Sequence, residues 1–318
     1  MDPESHSLLL PNHNPPHHTA SSNNTMANTK AYSSSLSTNT TMYSSENSKM
    51  MVNHNHHLPA SYLSTKLPRE LAFCIMAFIV GVYSPATIFR PIFGMNIRPI
   101  PYQILANSKD VILDLGLNNP LVEDVTIPSN FLIQTSITVP LLILFFIAII
   151  IAPKKQLKPY NYHDAHSSVC VLLTTIAMTE FTTQMAKFYV GRLRPNFYAL
   201  CGFDVTTLSC TNSIDMQMEA RSSFPSGHSS LSTAGMGVLV YFLLGRVAIS
   251  AVTSTRANSS GDSISMTNKL YAYLALLPFA YSTFCACSRL VDNWHHPSDI
   301  IGGIVLGLFC STFGYHLW

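Results

Sequence analysis

The sequence SRLVDNWHHPSD, at residues 288–299, lies between two strongly apolar stretches. YAYLALLPFAYSTFCAC precedes it at residues 271–287, and IIGGIVLGLFCSTFGYHLW follows it at residues 300–318. Apolar runs of this length predict membrane-spanning helices, so the polar stretch should lie at a membrane edge between two spans. Ionisable side chains so close to a bilayer are costly and usually functional, which marks this stretch as a candidate site.

The composition supports the same interpretation for most of the chain. Only 11% of the 318 residues are charged and 47% are hydrophobic, whereas about 25% charged residues is usual in soluble domains. Six apolar runs are long enough to span a membrane, at residues 70–89, 131–152, 167–186, 228–245, 270–287 and 299–317. We therefore predict an all-α fold, a six-transmembrane helical bundle. The net charge of +2 does not favour a nucleic-acid partner.

Residues 1–66 differ from the rest of the chain in composition. Ser, Thr, Asn, His and Pro dominate them, with too few apolar residues to build a core. This composition predicts a disordered tail, followed by a membrane domain at residues 67–318. No apolar signal-peptide region opens the chain, so we expect the tail to stay cytosolic.

Basic residues are distributed in a way that the usual topology rule does not explain. With six spans, the connections after spans two and four should be cytosolic, and both carry Lys or Arg as expected. The opposite side is basic too, with Lys187, Arg192, Arg194, Arg221 and Arg289. Because this cluster opposes the topology bias, we expect that a function requires it.

Three polar stretches at predicted membrane edges carry suitable chemistry. KFYVGRLRP places Lys187 and Arg194 at helical spacing, on one face. FPSGHSS, at residues 224–230, predicts a helix start whose N–H groups could bind an anion. In the third stretch His295 and Asp299 are four residues apart, so a helix would make them neighbours.

Together these groups indicate phosphoryl transfer. Arginine and lysine bind phosphate oxygens, and a neutral histidine oriented by a carboxylate could attack phosphorus. A second, protonated histidine could donate a proton to the leaving alcohol. This scheme needs no cofactor and no metal, because fixed cations neutralise the transition state. A zinc site formed by His295, His296, Asp299 and His228 is the weaker alternative, since zinc would not explain the surrounding cations.

The three motifs resemble the signatures of the type 2 phosphatidic acid phosphatase superfamily. K-x6-RP reads Lys187 to Pro195, PSGH reads Pro225 to His228, and SR-x5-H-x3-D reads Ser288 to Asp299. The longer contexts GRLRPNF, SFPSGHSS and SR…D…HHPSD are similar to the animal lipid phosphate phosphatase branch. The resemblance covers roughly residues 65–318.

The resemblance implies a six-helix integral membrane phosphatase. His295 would be the nucleophile that forms a phosphohistidine, Asp299 would orient it, and His228 would be the general acid. Phosphate would be bound by Lys187, Arg194, Arg289 and the backbone N–H groups of Ser226 and Gly227.

The resemblance also implies the substrates and the location of the site. The substrates would be phosphatidate, lysophosphatidate, sphingosine 1-phosphate and ceramide 1-phosphate, cleaved without Mg²⁺. The protein would then take part in phospholipid metabolism and in the attenuation of lipid signals. The site would face the extracellular or lumenal side of the plasma membrane or an endomembrane. The partners would be the bilayer and the lipid substrate, with homo-oligomerisation left open.

Two alternatives remain at this stage: a catalytically silent scaffold of the same family, and a phosphatase for soluble phosphomonoesters. The pairing of Cys201 with Cys210 is also open, as is the role of His296 as a substrate contact or a helix cap. Asp292 could pair with Arg289, whereas Arg192 is interpreted as a loop cation. The sequence ends at Trp318 directly after span six, where a short cytosolic tail would be expected.

Overall fold

The structure is a computed structural model, and it describes residues 66–106, 110–147, 158–257 and 266–318. Within these residues, six helical segments are long and apolar enough to cross a membrane. They are span one (Leu67–Phe93), span two (Ser129–Phe146), span three (Ala165–Val190), span four (Gly227–Ile249), span five (Met266–Val291) and span six (Pro297–Leu317). The six predicted spans are confirmed, whereas the predicted disordered tail lies almost wholly outside the described residues.

The first half of the described chain contains two interrupted spans and a small hairpin. Its elements are α1 (Leu67–Ser84), a π-helical turn (Pro85–Phe89), α2 (Arg90–Phe93), β1 (Tyr102–Ile104), β2 (Val111–Leu113), a 3-10 turn (Leu115–Leu117), α3 (Ser129–Ile133), a second π-helical turn (Gln134–Thr138) and α4 (Val139–Phe146). Strands β1 and β2 pair antiparallel, with Gln103 opposite Ile112. The first π-helical turn begins at Pro85, which has no N–H to continue the α-helical hydrogen bonds.

The second half contains the long helices. Its elements are α5 (Lys158–Val190), α6 (Phe197–Cys201), β3 (Phe203–Asp204), β4 (Ser209–Cys210), α7 (Ile214–Glu219), α8 (Gly227–Ala257), α9 (Met266–Ala275), α10 (Leu277–Val291) and α11 (Pro297–Leu317). Spans three and four belong to α5 and α8, which extend beyond the apolar windows. Span five is divided at Leu276, just before Pro278.

Helix α8 is central to the bundle and packs closely against α11. Gly303 and Gly307 of α11 face α8, where a Cβ on Gly303 would lie 2.6 Å from the Ser226 carbonyl oxygen. A Cβ on Gly307 would lie 2.8 Å from the Cβ of Thr233. Small residues allow such close helix contact in membranes, so this Gly-x-x-x-Gly pair packs the two helices together.

The connection between spans three and four folds into a compact cap over one end of the bundle. Its buried core contains Leu193, Phe197, Tyr198, Leu200 and Cys201. Cys201 and Cys210 form a disulfide, which settles the pairing that the sequence left open. The cap therefore holds the chain on either side of Arg194 in a fixed conformation.

Candidate active site

The three polar stretches meet at one end of the bundle, beneath the cap. The Arg194 guanidinium, in the first stretch, lies 3.2 Å from His295 Nε2 in the third. The Ser226 N–H, in the second stretch, donates to the Asp299 carbonyl oxygen at 3.0 Å. Residues that are about 30 to 100 positions apart in the sequence thus form one buried cluster at the edge of the membrane domain.

The His295 imidazole is held so that one ring nitrogen faces the cations. Its Nδ1–H donates to the Ser223 carbonyl oxygen at 2.7 Å, which leaves the Nε2 lone pair towards Arg194. His295 is 5% exposed, and burial, reinforced by the charge of Arg194, lowers its pKa to about 3. A neutral imidazole with its lone pair on Nε2 is the form that a nucleophile requires, and here that lone pair accepts a hydrogen bond from Arg194.

Arg194 is buried, and each of its three guanidinium nitrogens has a hydrogen-bond partner. It stacks on the Trp294 ring at 4.9 Å, and its Nη1 donates to the Trp294 carbonyl oxygen at 2.8 Å. Its Nε donates to the Glu219 carbonyl oxygen at 2.7 Å, and its Nη2 contacts the Glu219 carboxylate. Burial would raise the pKa of Glu219, but Arg194 and Lys187 outweigh it and lower that pKa below its ordinary value. A carboxylate therefore occupies the Arg194 donor that a phosphate oxygen would use.

Arg289 lies in the same cluster and is paired with Asp292, as the sequence suggested. Arg289 Nη2 donates to Asp292 Oδ2 at 2.6 Å, and both side chains are buried. The other carboxylate oxygen accepts from the Thr126 hydroxyl at 2.7 Å, and the Thr126 N–H donates to Oδ2 at 3.0 Å. The loop before span two thereby fixes the carboxylate that holds Arg289.

Lys187 stands beside the start of α8. Its Nζ would lie 3.7 Å from a Cβ on Gly227, the first residue of that helix. The first N–H groups of a helix have no partner within it and favour anions. Lys187 and the Gly227 N–H are therefore placed where one phosphate group could contact both.

Ser226 departs from the sequence-based expectation. We expected its N–H to face a phosphate, but this N–H donates to the Asp299 carbonyl oxygen at 3.0 Å. The reason is tertiary, since the close packing of α8 on α11 brings the two backbones together at this point. Ser226 thus joins the PSGH turn to span six, and its N–H is occupied in this structure.

His228 occupies the second position of α8. Its Nε2–H donates to the Ile127 carbonyl oxygen at 3.0 Å, in the same loop that supplies Thr126. The positive charges of Arg289, Lys187 and Arg194 all act on this imidazole, which places it within the cationic cluster. Both histidines required by the sequence-based scheme are thus on the same side of the bundle.

Asp299 lies close to His295, but the two residues are not arranged as the sequence predicted. The two residues are not neighbours on a helix, because α11 begins at Pro297 and His295 lies before it. The Asp299 carboxylate caps α11 by accepting the His296 N–H at 2.9 Å, and its Oδ2 lies 3.8 Å from His295 Nδ1. The nearest acceptor for His295 Nδ1–H is instead the Ser223 carbonyl oxygen, a partner that the sequence did not indicate.

Arg192 makes a contact with Asp299 that the sequence did not indicate. Its Nη1 donates to Asp299 Oδ1 at 2.6 Å and to the Ser298 hydroxyl at 2.7 Å. The Ser223 hydroxyl donates to Asp299 Oδ2 at 2.6 Å, so two groups from the cap hold a carboxylate that is wholly buried. Arg192 does lie in the loop after span three, as the sequence indicated, but its ion pair with Asp299 was not expected. Only its place two residues before Arg194 could have drawn attention to it.

Local contacts answer the open question about His296 and show the surroundings of Glu180. His296 is the N-cap residue of α11, and its Nε2–H donates to the Leu193 carbonyl oxygen at 3.1 Å, which favours the capping role. Glu180, inside span three, accepts a hydrogen bond from Gln184 at 2.7 Å and acts electrostatically on Lys187. In the described part of the chain, no three His, Cys, Asp or Glu side chains form a group suited to a metal ion.

Comparison with protein families gives one matching model, that of the PAP2 superfamily, over residues 168–318. This range contains all three motifs, from Lys187 to Asp299, and spans three to six. The match therefore includes every residue placed in the cationic cluster except those of the loop before span two.

Several proteins of other organisms are similar in sequence. Lipid phosphate phosphatase 2 of Arabidopsis thaliana is 32% identical over 163 residues, 49% of this chain and 52% of that protein. Diacylglycerol pyrophosphate phosphatase 1 of Saccharomyces cerevisiae is 30% identical over 227 residues, 68% of this chain and 73% of that protein. Phospholipid phosphatase 2 of Rattus norvegicus is 27% identical over 150 residues, 44% of this chain and 49% of that protein.

These matches differ in how much of each relative they include. The chain spans about half the length of the Arabidopsis and Dictyostelium proteins that it resembles, and about three quarters of the yeast protein. No solved structure gives a significant match.

Proposed function

Because the chain belongs to the PAP2 superfamily, we propose that it is an integral membrane phosphatase that hydrolyses lipid phosphate monoesters through a phosphohistidine. The observation that supports this most directly is the state of His295. Its Nδ1–H donates to Ser223, and its Nε2 lies 3.2 Å from the Arg194 guanidinium. A nucleophile and a phosphate-binding cation are thus adjacent at the membrane edge.

The proposed reaction has two steps. His295 Nε2 attacks phosphorus while the bond from phosphorus to the ester oxygen breaks, and the leaving alcohol takes a proton from the imidazolium form of His228, which becomes neutral. Water then attacks the phosphohistidine, the bond between nitrogen and phosphorus breaks, and His228 takes up a proton from that water. Phosphate is released and both histidines return to their starting states.

Fixed positive charge would replace a metal ion in this mechanism. Arg194, Arg289, Lys187 and the Gly227 N–H would contact the non-bridging phosphate oxygens, where charge is spread in the transition state. Asp299 would orient His295 together with the Ser223 carbonyl group. Ser226 would act by holding the PSGH turn against span six. We therefore propose activity that is independent of Mg²⁺.

The relatives are named for lipid phosphate, diacylglycerol pyrophosphate and phospholipid. We propose phosphatidate, lysophosphatidate, sphingosine 1-phosphate and ceramide 1-phosphate as substrates of this chain. The similar proteins come from plants, an amoeba, yeast and animals, so assignment to the animal branch stays a prediction.

The proposal is tested by expressing the chain in membranes and measuring phosphate release from phosphatidate in the presence of a chelator of divalent ions. We expect activity with the chelator, and losses of at least about a thousandfold for His295→Ala and His228→Ala. His316→Ala, an exposed histidine at the other end of span six, is the matched control and should be fully active. Activity that survives in both site variants, or that requires Mg²⁺, would contradict the proposed mechanism.

A further inference from the structure

One short loop has contacts that lead to three groups of the candidate active site. This loop before span two consists of residues 120–127, and it lies outside the range 168–318 that the family model matches. Residues 120–127 contain no helix and no strand. The conformation of the loop must therefore come from the contacts that it makes with the rest of the protein.

The loop is anchored at both ends by apolar packing. Leu121 packs against the buried core of the cap, and Ile127, which is 2% exposed, belongs to the core of the bundle. Between them, the Val125 N–H donates to the Glu123 carbonyl oxygen at 3.0 Å. The middle of the loop is thus held beside the connection between α10 and α11.

The first contact of the loop holds Arg289 through a carboxylate. The Thr126 hydroxyl donates to Asp292 Oδ1 at 2.7 Å, and the Thr126 N–H donates to Oδ2 at 3.0 Å. Arg289 Nη2 donates to the same Oδ2 at 2.6 Å. Because both carboxylate oxygens are bound, the carboxylate cannot rotate without losing a hydrogen bond, and this restricts the orientation of Arg289.

The other two contacts lead to His228 and Arg194. The Ile127 carbonyl oxygen accepts from His228 Nε2 at 3.0 Å, so Nδ1 is the ring nitrogen that the loop leaves free. The Val122 carbonyl oxygen accepts from Trp294 Nε1 at 3.3 Å, and the Trp294 ring stacks on the Arg194 guanidinium. One displacement of the loop would therefore move the proposed acid and two cations together.

We propose that the loop before span two positions the phosphate-binding groups, and that Thr126 is a positioning residue that acts on the substrate phosphate through Asp292 and Arg289. The inference rests on the proposed function and deepens it, since it assigns a role to residues outside the three motifs. Of the three contacts, only that of Thr126 uses a loop side chain, whereas the other two use main-chain carbonyl groups. Thr126 is therefore the position where a substitution tests the loop.

The first experiment removes the Thr126 hydroxyl. Thr126→Val keeps the shape of an exposed side chain, so the fold should be retained. We expect kcat/KM for phosphatidate to fall about tenfold and the inhibition constant of inorganic phosphate to rise about tenfold. Thr126→Ser restores a hydroxyl and should stay within about twofold of wild type.

The matched control for this substitution is Thr87→Val, because the Thr87 hydroxyl donates to the Tyr83 carbonyl oxygen of its own span. The control should leave both constants unchanged. Wild-type constants in Thr126→Val, or equal losses in Thr126→Val and Thr126→Ser, would overturn the inference.

A double-mutant cycle tests the route through Asp292. Asp292→Ala removes the carboxylate, so adding Thr126→Val to it should lower kcat/KM by less than about a further twofold. A further tenfold loss in the double variant would mean that Thr126 acts by another route, and it would overturn the inference.

A binding measurement separates this inference from the proposed function. Inorganic phosphate raises the melting temperature of a protein that binds it, and the dependence on phosphate concentration gives a dissociation constant without turnover. We expect this constant to be about tenfold higher in Thr126→Val than in wild type, and unchanged in Thr87→Val. Equal constants in wild type and Thr126→Val would overturn the inference alone. Thr126-dependent phosphate binding by a wild-type protein that does not hydrolyse phosphatidate would contradict the proposed function alone.

Discussion

At the scale of single residues, the site is a set of charges held in pairs. Arg194 contacts Glu219, Arg289 contacts Asp292, and Arg192 contacts Asp299, all through hydrogen-bonded ion pairs. Buried charges are stable only when they are paired in this way, and removing one partner leaves the other uncompensated. Each acid therefore controls the position or the availability of one cation.

The pairing of Glu219 with Arg194 gives the first prediction. A substrate phosphate must compete with this carboxylate for the Arg194 Nη2 donor, so Glu219→Gln should bind inorganic phosphate about tenfold more tightly as an inhibitor. The inhibition constant of phosphate measures this effect. Glu123→Gln, an exposed residue in the loop before span two, makes the same change of charge and should have no effect. Weaker phosphate binding in Glu219→Gln would show that Glu219 only positions Arg194.

Arg192 should act on catalysis through Asp299. We expect Arg192→Gln to lower kcat by about ten- to a hundredfold, since the Asp299 carboxylate loses the partner 2.6 Å from its Oδ1. Arg192→Lys, which keeps the charge, should recover part of the loss. The inhibition constant of inorganic phosphate should stay constant in both variants, whereas a direct phosphate ligand would change it.

The pH dependence of the reaction follows from His295. Its pKa is lowered to about 3 by burial and by Arg194, so the neutral, nucleophilic form persists until the pH falls through that value. We therefore expect that protonation of His295 does not lower kcat/KM between about pH 5 and pH 8. A decrease in this range that moves when Arg194 is replaced by Lys would contradict this assignment.

At the scale of elements, the contact between α8 and α11 positions the two histidines. His228 follows the first residue of α8, and His295 lies two residues before the start of α11. Gly303 and Gly307 allow these helices to pack closely, and the Ser226 N–H joins their ends through the Asp299 carbonyl oxygen. A change in the distance between the helices would therefore move the proposed acid and nucleophile relative to each other.

This contact can be tested away from the site. Gly307→Leu should destabilise the protein by about 1–3 kcal/mol, because even its Cβ would lie 2.8 Å from that of Thr233. Thermal unfolding in detergent measures the loss. Val305→Leu, on the outward face of the same helix (61% exposed), should leave the melting temperature unchanged. Equal melting temperatures for both variants would mean that the two helices can separate without loss.

At the scale of the whole molecule, all three motifs lie at one end of a six-span bundle. The ends of spans one, three and five and the starts of spans two, four and six meet there, together with the disulfide-linked cap. A disulfide is usual in extracellular or lumenal compartments and rare in the cytosol. This agrees with the expectation that the cap and the site face away from the cytosol, and with the basic connections on the other side.

A single substitution tests this orientation. Thr207→Asn creates an Asn-x-Ser glycosylation sequon with Ser209 in an exposed part of the cap. In eukaryotic cells we expect a shift in gel mobility that an endoglycosidase removes. The natural sequons at Asn23, Asn39 and Asn258 are all on the side predicted to be cytosolic, so the unmodified chain should show no shift. A shift in the unmodified chain that is abolished only when Asn23, Asn39 and Asn258 are all replaced by Gln would reverse the proposed topology.

Local properties of the sequence were enough to predict the six spans, the three motifs and the pairing of Arg289 with Asp292. Hydrophobicity over about 20 residues and short motif spacing do not depend on distant parts of the chain. The tertiary structure alone decided that Arg192, 107 positions away, holds Asp299, that the Ser226 N–H is occupied, and that Glu219 competes for Arg194. These features depend on which helices pack together and how closely, and no short window of sequence contains that information.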